Sequence, residues 1–359
     1  MSYFFLDEYE HMEPYVPGEM PKDREYLKLN ANESSYPPSP KVLEAMNSAE
    51  VNSMAHYSDP HCMELRKAIG EEYGFPAEQV FVGNGADEVL GFCMMSFFKP
   101  GMKVCFPDIT YDFYRTYSTT YRLDFEQFPL KQDLSVDVDE YVNTDRDVIL
   151  ANPNNPTGKA ISVADIERIV AKDPKRMVII DEAYVDYGNE SCVSLVKKYS
   201  NLVVVQTFSK SRNMPGARIG FAISSEDIIS DMNKIKFAFN PFNMSSLAIV
   251  GGVAAIHDKD YFHRCVNEVE RVRADFEDAL ENRGFGVMRT TTNFAFFSCP
   301  DISASELCKE LKKRGILVRH YNDSRINNYL RITIGTEKEM QRVLSQLDEI
   351  RGRKYDRAC

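Results

Sequence analysis

NLVVVQTFSKSRNMPGARIG, residues Asn201 to Gly220, decides how the rest of the chain is read. The apolar run Leu202 to Val205 is too short to nucleate a helix and rich in Val, which predicts a buried strand. That strand empties into a polar knot of Thr207, Ser209 and Lys210, and Arg218 follows in a Gly-containing turn. Hydroxyls, a guanidinium and one amine at a strand end suit a phosphorylated cofactor held by hydrogen bonds while the amine reacts with its aldehyde. Taken alone, the stretch equally fits a solvated surface loop.

Its neighbours in the sequence repeat the pattern. RMVIIDEAYVDY, Arg176 to Tyr187, puts apolar residues directly ahead of Asp181, and a carboxylate at the end of a buried strand is costly unless it is paired. DVILANPNNPTG, Asp147 to Gly158, is a strand ending in an Asn/Pro turn, after which Ser162 and Asp165 frame a capped helix. KVCFPDITYDFY, Lys103 to Tyr114, reads as a strand and then an aromatic-rich helix start. VFVGNGADEVLGFCMMSFF, from Val80, runs from a short strand through Gly83-Asn84-Gly85 into a helix with Asp87 and Glu88 in its first turn. A Gly-rich turn feeding a helix N-terminus is a natural phosphate seat, although it also fits a tight turn with acidic capping residues. Strand alternating with helix implies an α/β fold with a largely parallel sheet covered on both faces and ligands at the carboxyl ends of the strands. Every polar knot falls at such an end.

After Ser224 the pattern turns helical, over about 226 to 237, 244 to 257 and Asp260 to Arg283. TTTNFAFFSC, ILVRHY, YLRITIG and two helices capped at Ser303 and Thr336 then read as a small α+β domain. The expected organisation is an arm with part of the small domain over 1–40, a large cofactor-binding domain over 41–260 and a small domain over 261–359. Prolines at 14, 17, 21, 37, 38 and 40 keep the arm irregular.

With 43% hydrophobic and 27% charged residues, the chain has the balance of a soluble globular protein. A net charge of −11 argues against nucleic acid or an anionic membrane as the main partner. The eight cysteines form no CxxC pair and no zinc-like cluster with histidine, so no metal is expected. The start, MSYFFLDEYEHMEPY, has early acids and only a brief apolar patch, so it does not read as an export signal; reduced thiols and a cytoplasmic location are expected.

Together the strand-end groups answer one chemical need. A pyridine aldehyde requires a reacting lysine, an acid under its ring nitrogen, donors to its ring oxygen, an aromatic face and a phosphate seat. Lys210, Asp181, Tyr184 with Asn155, Tyr111, and the Ala86-Asp87 turn with Thr207, Ser209 and Arg218 supply these in turn. At this point the sequence resembles the fold-type-I pyridoxal-phosphate aminotransferases of class I/II, and most closely their histidinol-phosphate branch. LNANESSYPPSP, HYSDP, GNGADE, NPNNPTG, DEAY, TFSKSRNMPGARIGF and YLRITIGT stand in the family's order across nearly the whole chain.

The resemblance implies pyridoxal 5'-phosphate as cofactor, with Lys210 joined to it and serving as base and acid, and Asp181 paired with its ring nitrogen. It implies Asn155 and Tyr184 on the ring oxygen, Tyr111 stacked on the ring, and Tyr57 crossing to the phosphate of a second subunit in a homodimer. Arg331 would grip a substrate carboxylate, Arg319 would lie near a substrate phosphate, and Tyr15 and Asn32 would belong to an arm over the substrate. The implied activity is transamination between histidinol phosphate and 2-oxoglutarate, as in histidine biosynthesis. A lyase like threonine-phosphate decarboxylase and an aromatic amino-acid transaminase share most of the motifs. Two positions depart from the pattern: Phe242, in PFNMS, stands where a tyrosine is common, and Pro215 enters the turn before Arg218.

Overall fold

The structure is a computed structural model that describes Tyr9, Met12 and residues 15–47 and 55–358, with side chains to 352. The segment 1–8, on which the absence of an export signal was argued, Pro14 and Cys359 lie outside the described residues. In chain order the strands are β1 (Leu27–Lys28), β2 (Val80–Gly83), β3 (Lys103–Pro107), β4 (Asp124–Phe128), β5 (Asp147–Ala151), β6 (Val178–Asp181) and β7 (Leu202–Thr207). They continue with β8 (Gly220–Ile223), β9 (Gly286–Met288), β10 (Phe294–Ser298), β11 (Ile316–Leu317), β12 (Arg319–His320) and β13 (Tyr329–Thr333).

A seven-stranded sheet in the order β2-β8-β7-β6-β5-β3-β4 forms the centre of the molecule. Strands β3 to β7 pair in parallel, whereas β8 runs antiparallel to both β7 and β2. The central parallel strands β6 and β7 read as apolar runs because both faces are covered: Val178, Ile180 and Val204 face one core, and Ile179, Val203 and Val205 the other. Beyond the long helix Lys259–Glu281 lies a four-stranded antiparallel sheet, β12-β13-β10-β9, with its own core around Phe276, Phe294, Phe297 and Ile332. The arm joins this part of the molecule through β1, which pairs in parallel with β11.

Helix starts follow the caps read from sequence. The hydroxyls of Ser162 and Ser303 accept from the N–H groups of Asp165 and Glu306, and Ser245, not read as a cap, does the same for Ala248. Thr336 and Glu339 form a reciprocal pair, the Thr336 N–H donating to Glu339 Oε2 at 2.6 Å. The expectation of a largely parallel sheet is modified at β8. Residues 208 to 219, which join it to β7, form no crossover helix but only a short turn at Pro215–Ala217, and β8 returns antiparallel with Gly220 opposite Thr207.

Gly220 also sets how closely the sheet meets the helix Ala86–Phe97. A Cβ there would lie 2.3 Å from both Ala86 N and the Gly85 carbonyl carbon, and neither backbone atom can swing aside. Gly220→Ala is expected to destabilise the fold by about 1–3 kcal/mol through overpacking. Gly91, in the same helix with open space where its Cβ would go, is the control: Gly91→Ala holds or raises the thermal midpoint. Equal midpoints for the two variants would refute the close-approach argument.

Candidate active site

The carboxyl ends of β5, β6 and β7, the start of the helix Ala86–Phe97, the arm and the end of β13 enclose a cavity of about 380 Å³. Every residue singled out from sequence lines it except Tyr57. Tyr57 is 83% exposed on the outer surface, stacked on Phe242 with ring centroids 4.5 Å apart.

Asp181 ends β6 between Ala151 and Val205, where strand register holds it at the cavity floor. Its carboxylate accepts from the Tyr114 hydroxyl at 2.8 Å and the Ala183 N–H at 3.1 Å, and the Lys210 amine is the cation whose charge reaches it. Burial pushes its pKa up to about 6, against the lowering effect of those two donors. Tyr114 was not singled out from sequence. It lies one helical turn beyond Tyr111, and that spacing was the available signal.

Lys210, just past β7, aims its amine into the same cavity, donating to the Asn32 carbonyl at 3.1 Å and lying 5.7 Å from the Tyr184 ring centroid. Burial and the neighbouring Arg331 bring its pKa down to about 8. Tyr184 accepts from the Asn32 side-chain amide at 2.8 Å, and burial keeps its phenol protonated. Asn155 accepts from Arg331 Nη1 at 2.6 Å, so its amide N–H groups are what it has left to donate.

At the opposite wall Arg218, itself left-handed at φ 52°, lies across the start of the helix Ala86–Phe97. Gly85, at φ 93°, makes the approach possible, because a Cβ there would sit 2.3 Å from Arg218 Nη2. Arg218 meets Asp87 at 3.3 Å, Asp87 also accepts from the Tyr111 hydroxyl at 2.9 Å, and Thr207 and Ser209 share a hydroxyl contact of 3.0 Å beside them. In the first helical turn the N–H groups of Ala86 and Asp87 have no intrahelical acceptor. Guanidinium, hydroxyls and helix start thus converge as an anion would require.

At the mouth, Arg319 and Arg331 each stand 5.9 Å from the Tyr321 ring centroid, one on β12 and the other on β13. Tyr15 packs against Phe113 and Tyr111 across the opening, at 4.6 and 5.9 Å. Tyr321 was also missed, although strand alternation from Arg319 puts it on the same face. Among the described residues there is no metal-binding cluster and no helix long and apolar enough to cross a membrane.

The fold is fold type I, that of the aminotransferases. The chain belongs to the class I and II aminotransferases, whose family profile matches residues 24–347. It is 45% identical to the histidinol-phosphate aminotransferase of Clostridium acetobutylicum, over 97% of this chain and 99% of that one. Against the protein of the same name from Brachyspira hyodysenteriae, identity is 45% over 95% of this chain and 96% of the other. The structure of histidinol-phosphate aminotransferase from Sinorhizobium meliloti in complex with pyridoxal-5'-phosphate shares the fold at a TM-score of 0.84 and 24% identity, covering 91% of each chain.

Proposed function

We propose that the chain is a pyridoxal-phosphate-dependent transaminase for histidinol phosphate with 2-oxoglutarate as the amino-group acceptor. The observation that carries this reading is the convergence of Arg319 and Arg331 on the cavity that also holds Lys210 and the buried carboxylate of Asp181. Two fixed guanidinium groups suit one substrate with a phosphate and another with two carboxylates. The full-length relatives named as histidinol-phosphate aminotransferases support the same substrate pair.

The residues fit pyridoxal phosphate on this structure's own terms. A buried carboxylate held only by two neutral donors and a nearby amine is expensive, and a protonated ring nitrogen would compensate it. The missing Cβ of Gly85 lets the Arg218 guanidinium lie against the helix start, where both would face a phosphate. In this reading Asp181 holds the ring nitrogen, Asn155 and Tyr184 meet the ring oxygen, and Tyr111 covers a face. Ala86, Asp87, Thr207, Ser209, Arg218 and Tyr57 of the partner subunit hold the phosphate. The chemistry such a cofactor supplies when bound is electron withdrawal from the carbon beside the substrate nitrogen. Lys210 Nζ holds and returns the proton, a task suited to an amine whose pKa has fallen to about 8. Arg331 orients a carboxylate and Arg319 a phosphate, while Tyr15 and Asn32 close the arm side and exclude water.

The exposed rings of Tyr57, Phe239 and Phe242, at 83%, 71% and 41% exposure, support a homodimer that covers them. The chain divides in this reading at 40 and 260, with the cavity between the two larger parts. Buried thiols fit a cytoplasmic enzyme.

A panel of amino donors with 2-oxoglutarate tests the assignment. Histidinol phosphate is expected to lead, and Arg319→Ala to cut its kcat/KM by about 10–100-fold, as for loss of a charge-assisted contact, with much less effect on glutamate. Equal losses on both substrates would remove Arg319 from phosphate recognition. Carbon dioxide release from threonine phosphate, or preference for an aromatic donor, would replace the substrate assignment.

A further inference from the structure

Asn32 touches both groups at the centre of the site, and it is held from elsewhere. It has a left-handed backbone, φ 52°, a conformation that costs most residues other than Gly and that Asn tolerates. Its carbonyl accepts from Lys210 Nζ and from Asn293 Nδ2, both at 3.1 Å, and its side-chain amide donates to Tyr184. Its N–H donates to Thr333 Oγ1 at 3.0 Å, and that hydroxyl in turn donates to the Leu29 carbonyl at 3.0 Å. All three residues are at most 2% exposed. Lys210 and Tyr184 belong to the seven-stranded part of the molecule, whereas Thr333 ends β13 and Asn293 immediately precedes β10.

We propose that Thr333 and Asn293 are positioning residues that pin Asn32, so that the placement of the four-stranded sheet sets the environment of the Lys210 amine. This inference rests on the reading of Lys210 as the reactive amine. A carbonyl fixed against Nζ favours the charged ammonium. When its anchors go, the carbonyl moves away, and the amine loses its proton at lower pH. The other groups facing Nζ are Arg331, Arg218, Asp87, Glu33, Asp181 and the Tyr184 ring, and all of them remain in every variant below.

The test uses the cofactor-free full-length protein, labelled with trinitrobenzenesulfonate across pH, with the modification at Lys210 followed by peptide mapping. Thr333→Val keeps shape and removes the hydroxyl; it is expected to move the labelling midpoint down by about one pH unit, the scale of one lost hydrogen bond to a charge. Asn293→Ala moves it the same way, and Thr333→Ser keeps the wild-type midpoint. A wild-type midpoint in Thr333→Val, with only a lower melting temperature, overturns the proposal, as does the same shift in Thr333→Ser. If Asn293→Ala does not fold, the near-isosteric Thr333 pair still decides. Labelling needs neither pyridoxal phosphate nor turnover. Failure of the functional reading, seen as no borohydride-stable adduct at Lys210 after adding the cofactor, is therefore a separate result.

Discussion

Lys210→Ala is expected to lower the transamination rate by at least about 10⁴-fold, the upper range for loss of a general acid–base group, while the fold persists. The side chain makes one hydrogen bond, to the Asn32 carbonyl, and points into a cavity, so its removal leaves no core void. Borohydride treatment after addition of pyridoxal phosphate then gives no adduct at position 210. The proposed homodimer supplies a sharper form of the test. Tyr57→Ala chains keep Lys210 and lack the ring proposed to reach across, while Lys210→Ala chains keep that ring. Unfolding and refolding the two together gives mixed dimers with one intact site each and recovers activity that neither has alone. Failure to recover any would count against a site shared between subunits, and retained turnover in Lys210→Ala would remove the lysine from the chemistry.

Asp181→Asn is expected to produce two opposite changes. Turnover falls by about 10²–10³-fold, because a neutral amide cannot balance a cationic ring nitrogen and breaking one side of a buried ion pair costs about 3–5 kcal/mol. The cofactor-free protein, however, becomes more stable at neutral pH. The folded carboxyl has a pKa of about 6 against the ordinary aspartate value of 3.8, so between these pH values the folded state binds more protons than the unfolded state. Stability contributed by this group therefore falls as pH rises from about 4 to 6, and the penalty is complete above 6. Asn removes that penalty. A rise of several degrees in melting temperature at pH 7 is expected, shrinking to nothing near pH 4, with the sign reversed when pyridoxal phosphate is present. An unchanged melting temperature at pH 7 would mean that Asp181 is compensated by groups other than the cofactor.

The sequence made the site legible to an unusual extent because its parts obey one rule. In a sheet covered on both faces, polar residues at the carboxyl ends of the strands must face a ligand or one another, so Asp181, Asn155 and the Thr207-to-Lys210 knot marked the cavity before any geometry was known. What escaped were relations rather than residues. An apolar run such as Gly220–Ile223 reads the same in both directions, and the short return from β7 decides that β8 is antiparallel. β4 was missed because three of its five DFEQF residues are exposed, and β9 because it has only three residues. The hydroxyl of Tyr114 under Asp181, and the anchoring of Asn32 by Asn293 and Thr333, join residues far apart in the chain, and no local spacing encodes such contacts.

The pairing of Thr207 with Gly220 closes the segment between them into a ring that starts and finishes at one point. Within it Lys210 stands near one end and Arg218 near the other, each close to a paired strand residue and each reaching out, to Asn32 and to Asp87. Pro215 and Gly216, in the middle, line the rim of the cavity. A change at the middle of the ring would therefore alter the rim first and the two charged ends only through the turn that joins them.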